Sequence, residues 1–158
     1  MTEAWFTALG EPLGEEERRE IAGYLAGLGM HAALPIHLIK TWNQAGETCQ
    51  APSDDWWRAE EDERARLERS ARLDPADPQW LALNEALHGA AAVAAARSGC
   101  ADAALIRVAA GAASSAAYQA RLARAAAVAG GHPFLRKYAL YCGGRWPLGI
   151  YDGVFAIF

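Results

Sequence analysis

The sequence has few cysteines and no long apolar run. Its 158 residues include three cysteines, an odd number that suggests neither a disulfide framework nor a zinc ribbon. The first residues, Met-Thr-Glu-Ala-Trp, lack the basic region that begins a signal peptide. His88 and Arg97 interrupt the longest candidate for a membrane span, which needs about eighteen apolar residues. We therefore expect a cytoplasmic protein with no membrane association.

Motifs that hold phosphate or metal are also scarce. Gly143-Gly144-Arg145 lacks the Lys-Ser/Thr pair of a P-loop. Glu85 and His88 have the Glu-x-x-His spacing of di-iron helical bundles, but such a site needs a second motif and two more carboxylates on facing helices. The facing segment offers Asp102. The sequence thus predicts no metal and no cofactor, and leaves Glu85, His88 and Asp102 as candidates for lining a pocket.

Charge is distributed unevenly along the chain. The net charge is −4, yet residues 121–158 hold five basic side chains and one acidic one. Cations and aromatic rings are mixed there, at Arg136, Lys137, Tyr141, Arg145 and Trp146. Such a mixture can bind nucleic acid, but the chain is acidic and has no basic run, so nucleic acid is an unfavoured partner. The alternatives are a surface for an acidic partner, or aromatics that seal the C-terminal segment onto the helices.

Alanine dominates the stretch from Trp80 to Val128. Alanine has the highest helix propensity, and no proline interrupts the stretch. Ser98-Gly99-Cys100 breaks it once, which predicts two long antiparallel helices over residues 78–129. A helix that is apolar on all sides is normally buried, and short side chains let two helices approach closely. We expect such close contact at Ala92 and Gly111.

Capping and turn residues place the remaining elements. A helix capped by Thr2 is expected around Trp5, and a short helix is expected to begin at Pro35. Asp152-Gly153 is the favoured dipeptide of a type I′ turn and predicts a terminal β-hairpin. The expected segments are N-terminal helices in 1–46, a charged helix over 53–73, the central helix pair, and a short helix plus β-hairpin in 133–158. The predicted fold is all-α, an irregular helical bundle in a single domain over 1–158.

The β-hairpin carries more large apolar residues than one buried face can hold. Side chains alternate between the two faces of a strand, so the second face needs cover. Trp146 and Tyr141 could supply it, and otherwise a second copy of the chain could. A homodimer is therefore a further expectation.

Two adjacent tryptophans are the most suggestive surface feature. Neighbouring residues on a helix point about 100° apart, so Trp56 and Trp57 are not expected to share one buried face. Tryptophan is enriched where proteins bind each other, although each ring could instead cover a different neighbouring element. With the C-terminal cations and aromatics, they form the predicted partner-binding set: Trp56, Trp57, Arg136, Lys137, Tyr141, Arg145 and Trp146.

Two function classes follow. The first is a non-enzymatic, bacterial, cytoplasmic protein-binding module of the immunity-protein or antitoxin kind. The alternative is a small helical enzyme or ligand-binding protein with a pocket near Glu85, His88 and the C-terminal aromatics. A flat patch around the tryptophan pair would favour the first class, and a concave pocket holding histidine and carboxylates would favour the second.

Overall fold

A computed structural model describes residues 3–158 and shows a mostly helical chain with a small mixed sheet. The elements in order are α1 (Glu15–Gly27), β1 (Ile36–Leu38), α2 (Trp42–Thr48), α3 (Asp54–Glu68), α4 (Pro78–Arg97), α5 (Ala103–Ala125), α6 (Pro133–Cys142), β2 (Pro147–Tyr151) and β3 (Val154–Ile157). Helix α5 packs against α3, α4 and α6, and α6 packs against α1. The core therefore surrounds α5 and α6.

The two alanine-rich helices form the expected pair. Helix α4 ends at Arg97, and Gly99 takes the left-handed conformation (φ 68°) that the following turn requires. Leu87, Ala91 and Ala95 are the buried residues of α4, and they share a core cluster with α5. The expectation of close contact at Ala92 and Gly111 is wrong, because both residues are exposed.

The mostly helical fold is confirmed, but the chain is not all-α, because it also holds a three-stranded sheet. Residues 36–38, expected to be helical, form β1, which pairs in parallel with β3. Helix α2 starts later, at Trp42, where the Thr41 hydroxyl accepts a hydrogen bond from the Gln44 N–H. Strand β3 lies in the centre of the sheet, between β1 and β2. The partner of β1 is more than a hundred residues away in the chain, so local pattern gave no sign of this strand.

The terminal β-hairpin is present, and Asp152 and Gly153 both have the positive φ of a type I′ turn. Ile150, Phe155 and Ile157 are buried with residues of α1. Leu148 and Phe158 are buried in the other main cluster, beside Trp146. Both faces of the hairpin are thus covered within one chain. A second copy is not needed for this purpose.

The N-terminal segment is not helical. Residues 5–10 form turns, and Phe6 has φ 59°, an unusual value for a bulky side chain. The Phe6 ring is buried and packs edge-on against Tyr141 at 6.5 Å between centroids. The Ala4 N–H donates to the Cys142 carbonyl, and the Ala8 N–H donates to the Gly144 carbonyl. The helix expected here is wrong, and its proposed cap Thr2 lies outside the described residues.

Candidate functional site

The two adjacent tryptophans have different environments. The Trp56 side chain is half-buried, and its indole N–H donates to the Tyr24 hydroxyl at 2.8 Å. Trp57 is 55% exposed, the highest value among the large apolar side chains of residues 3–158. Trp56 therefore belongs to the interior of the fold, and Trp57 alone is available to a partner.

Lys137, predicted to lie on a binding surface, is buried in an ion pair with Glu60. The Lys137 ammonium donates to the two carboxylate oxygens of Glu60 at 2.6 and 2.8 Å, and to the Gln119 side-chain oxygen at 3.2 Å. Tyr24 and Gln119 also donate hydrogen bonds to the Glu60 carboxylate. This polar cluster joins α1, α3, α5 and α6, and Lys137 has no free donor left for a partner.

The electrostatics of this cluster favour a charged pair. Burial by itself raises the pKa of Glu60, but attraction to Lys137 and the surrounding hydrogen bonds outweigh it, so the pKa lies below its ordinary value. Burial, followed by the nearby Glu60 charge, raises the pKa of Tyr24 well above its ordinary value. Tyr24 therefore stays protonated and donates its hydrogen bond throughout the physiological range.

Arg145, another predicted surface residue, is buried beneath the N-terminal segment. Its Nε donates to the Glu17 carboxylate at 2.6 Å. Its two terminal nitrogens donate to the backbone carbonyls of Ala8, Glu11 and Pro12 at 2.6–2.8 Å. All these partners are more than a hundred residues away in the chain. The guanidinium therefore fixes residues 8–12 against the start of β2, and its role is structural.

The other C-terminal candidates are also engaged within the chain. Tyr141 is buried, and its hydroxyl donates to the Pro147 carbonyl at 3.4 Å. Trp146 is buried between Trp42 and Phe158, with ring centroids 5.9 and 6.5 Å away. Arg136 is half-buried and lies 3.5 Å from the Glu20 carboxylate. The predicted C-terminal surface patch is therefore corrected, because Lys137, Tyr141, Arg145 and Trp146 do not reach the surface.

The candidates for lining a pocket lie open on the central helices. Glu85, His88 and Asp102 all have exposed side chains. Asp102 caps α5, since its carboxylate accepts a hydrogen bond from the Leu105 N–H at 3.0 Å. Within residues 3–158, no three His, Cys, Asp or Glu side chains group together as metal ligands. The structure gives these three residues no enclosing walls.

A cavity of about 250 Å³ lies where the connector after α3 meets α4 and α5. Its walls are Leu73, Asp74, Pro75, Trp80, Tyr118 and Arg121. The Arg121 guanidinium lies 5.4 Å from the Trp80 ring centre and forms an ion pair with Asp77. The cationic wall is thus already neutralised, and the cavity presents mainly rings and aliphatic groups.

An exposed surface with apolar residues lies on the outer side of the α4–α5 pair. We name it the hairpin face and define it by Leu81, Ala86, Gly89 and Val93 of α4 with Val108 and Gly111 of α5. Leu81 is 54%, Val93 51% and Val108 49% exposed. Among the described residues, nothing lies within 4 Å of a Cβ atom built at Gly89 or Gly111. An apolar surface with open space above both glycines is therefore presented to solvent.

The sequence contained a signal for this surface. Helix α4 is apolar on nearly every side, as a helix surrounded by neighbours would be. In the fold, however, it packs mainly against α5. The number of helices that pack around α4 cannot be inferred from the residue pattern of α4 alone. The expected burial of its outer side was therefore wrong.

Comparison with known proteins gives no relative: no protein-family model, curated protein or solved structure matches this chain. None of the helices within residues 3–158 combines the length and the apolar character that crossing a membrane requires.

Proposed function

We propose that the chain is a non-enzymatic protein-binding module and that the hairpin face is its binding surface. The observation that carries the proposal is the exposure of Leu81, Val93 and Val108 on two helices that pack against each other. We take these side chains as one site of protein association, because exposed apolar side chains that group together mark such sites. Trp57 lies on a different helix and offers a second, smaller contact.

The polar interior supports binding over catalysis. Within residues 3–158, Glu60 and Lys137 form a buried ion pair. Their remaining hydrogen-bonding groups are taken up by the Tyr24 hydroxyl and the Gln119 amide. Glu85 and His88 stand on an exposed helix and not in a concave pocket. The exposed Glu85 and His88 therefore lack the enclosed, water-excluding surroundings that an acid–base site uses.

A bacterial cytoplasmic inhibitor of the immunity or antitoxin kind is the role we favour within this class. A protein of this kind would act by covering a surface of another protein, and an apolar patch can serve that purpose. The two packed helices of the hairpin would hold that patch in one shape before binding.

Affinity capture with surface variants tests the proposal. Val93→Glu places a carboxylate in the hairpin face, and Ala32→Glu places one on an exposed residue of the α1–β1 loop. We expect a stoichiometric partner to be retained by the wild type and by Ala32→Glu, and lost with Val93→Glu. A partner that binds all three proteins equally, after reconstitution from purified components, would show that the hairpin face is not the site.

A further inference from the structure

We propose that the cavity between the connector after α3 and the helices α4 and α5 is a binding site for a small, neutral aromatic compound of one or two rings. The site takes a small molecule, so it is independent of the protein-binding function proposed for the hairpin face. The size of the cavity, its aromatic walls and the charges of its lining support the proposal.

The volume of the cavity sets the size of the ligand. An engineered apolar cavity of about 150 Å³ in another protein binds benzene. At about 250 Å³, this cavity has room for a ring system larger than benzene, such as the two fused rings of indole. Pockets for drug-sized ligands begin at about 300 Å³, so a larger compound would project into solvent.

Two aromatic rings from different helices line the cavity. The centroids of the Trp80 and Tyr118 rings are 6.1 Å apart, and the ring planes meet at 61°. Leu73 and Pro75 of the connector add aliphatic walls. Aromatic rings attract one another in edge-to-face and offset arrangements by more than their apolar area alone provides. A flat aromatic ligand therefore uses these walls more fully than an aliphatic ligand of the same volume.

The walls are held in place by contacts within the chain. The Tyr118 hydroxyl donates to the Glu68 carboxylate at 2.9 Å. Trp80 lies in the first turn of α4, which Asp77 caps by accepting a hydrogen bond from the Gln79 N–H at 2.9 Å. Both rings are half-buried and pack against core clusters. A preformed cavity loses little conformational entropy on binding, which favours affinity for a rigid ligand.

The charges of the lining disfavour a charged ligand of either sign. The Arg121 guanidinium lies 5.4 Å from the centre of the Trp80 ring, where a cationic ligand would otherwise bind. Arg121 also donates a hydrogen bond to Asp77 and thereby holds the pKa of Asp77 below its ordinary value, so the two remain an ion pair. The Asp74 carboxylate lines the cavity as well and would repel an anionic ligand. A cation thus meets Arg121 and an anion meets Asp74, whereas a neutral ring meets no like charge.

Titration of the full chain with indole, followed by proton–nitrogen correlation NMR, tests the site. We expect the indole N–H signal of Trp80 to shift saturably, with a dissociation constant of about 10 µM to 1 mM, the range open to a ligand of so few atoms. The corresponding signal of the exposed Trp57 on α3 is the internal control and should not shift. Shifts that do not saturate by about 10 mM, or that occur at the hairpin face and not at Trp80, would overturn the proposal.

Two matched tryptophan variants locate the bound indole. Trp80→Ala removes an aromatic wall and should raise the dissociation constant about tenfold or more, whereas Trp57→Ala should leave it within about twofold. Equal dissociation constants for the wild type and a folded Trp80→Ala would overturn the site. Should circular dichroism show that Trp80→Ala does not fold, nuclear Overhauser contacts between indole and the Leu73 methyl groups of the wild type decide the matter. Their presence supports the site, and their absence overturns it.

Three one-ring probes of similar size test the preference for a neutral ligand: benzyl alcohol, benzylammonium and benzoate. We expect benzyl alcohol to bind at least about fivefold more tightly than either ion. Asp74→Asn removes the repelling charge and keeps an acceptor for the Ala76 N–H. It should tighten benzoate binding about threefold or more and leave benzyl alcohol within about twofold. Tightest binding by either ion to the wild type would overturn the proposed class of ligand.

Discussion

The ammonium of Lys137 lies 2.6 and 2.8 Å from the two carboxylate oxygens of Glu60, in the interior between α3 and α6. Helix α3 is strongly charged, and Glu60 and Leu67 are its two buried residues. One of the two buried side chains of α3 is therefore a member of the ion pair. Its position on the bundle depends on a polar contact as well as on apolar packing, and a polar contact of this kind is satisfied in one arrangement only.

Removing the ammonium should be strongly destabilising. We expect Lys137→Met to lower the free energy of unfolding by about 3–5 kcal/mol, because it leaves the Glu60 carboxylate buried without a counter-charge. The double variant Glu60→Gln/Lys137→Met removes both charges and should lose less than the single variant. Urea unfolding of the three proteins measures this order. A double variant less stable than Lys137→Met would contradict the charge argument.

The same pair predicts how stability depends on pH. The pKa of Glu60 is lower in the folded chain than its ordinary value of about 4.3. The pair therefore contributes its full stability above that ordinary value, and the contribution is lost as the pH falls through the folded-state pKa. The free energy of unfolding, measured with denaturant between pH 7 and 2, should fall less steeply for Glu60→Gln/Lys137→Met than for the wild type. Equal slopes would show that Glu60 does not contribute.

Arg145 should resist conservative substitution. Lysine cannot reproduce contacts to Glu17 and to three backbone carbonyls, so we expect Arg145→Lys to cost about 1.5–3 kcal/mol. Residues 4–12 should also exchange their amide hydrogens faster, because the guanidinium holds them. Arg18→Lys, at an exposed position of α1, is the control. Unchanged exchange in Arg145→Lys would mean that the segment is held by Phe6 and its backbone bonds alone.

Local signals predicted the elements whose partners lie nearby. Pro78 after Asp77, and Pro133 after His132, mark true helix starts, and in each case the residue before the proline caps the helix through its side chain. Asp152-Gly153 marks a true turn. Each of these features depends on a few consecutive residues, so it can be predicted from the sequence alone.

Features that depend on distant partners could not be predicted in this way. Strand β1 exists because β3 lies beside it, and three residues have no strand signal of their own. The cations Lys137 and Arg145 resemble surface residues until Glu60 and Glu17 are placed beside them. The candidate binding surface was missed for the same reason. Within residues 3–158, α4 packs mainly against α5, so its outer side stays exposed, and the sequence of α4 alone does not show this.

The last prediction concerns how closely α4 and α5 pack. Ala113 is fully buried, whereas Gly111, two residues earlier on the same helix, is exposed beneath open space. We expect Ala113→Leu to lower the free energy of unfolding by about 1–3 kcal/mol, because a close-packed interior cannot admit three more carbons without strain. Gly111→Leu should be neutral or stabilising by up to about 1 kcal/mol, because leucine favours the helix more than glycine does.

Thermal and urea unfolding of both variants, at a concentration where the chain is monomeric, decides the matter. Equal losses from the two substitutions would mean that the outer side of α5 is packed as tightly as the inner side. That result would also remove the open hairpin face from which the binding proposal is argued. A loss confined to Ala113→Leu would leave that face free for a partner, since it shows that the closely packed side of α5 is the one turned towards the core.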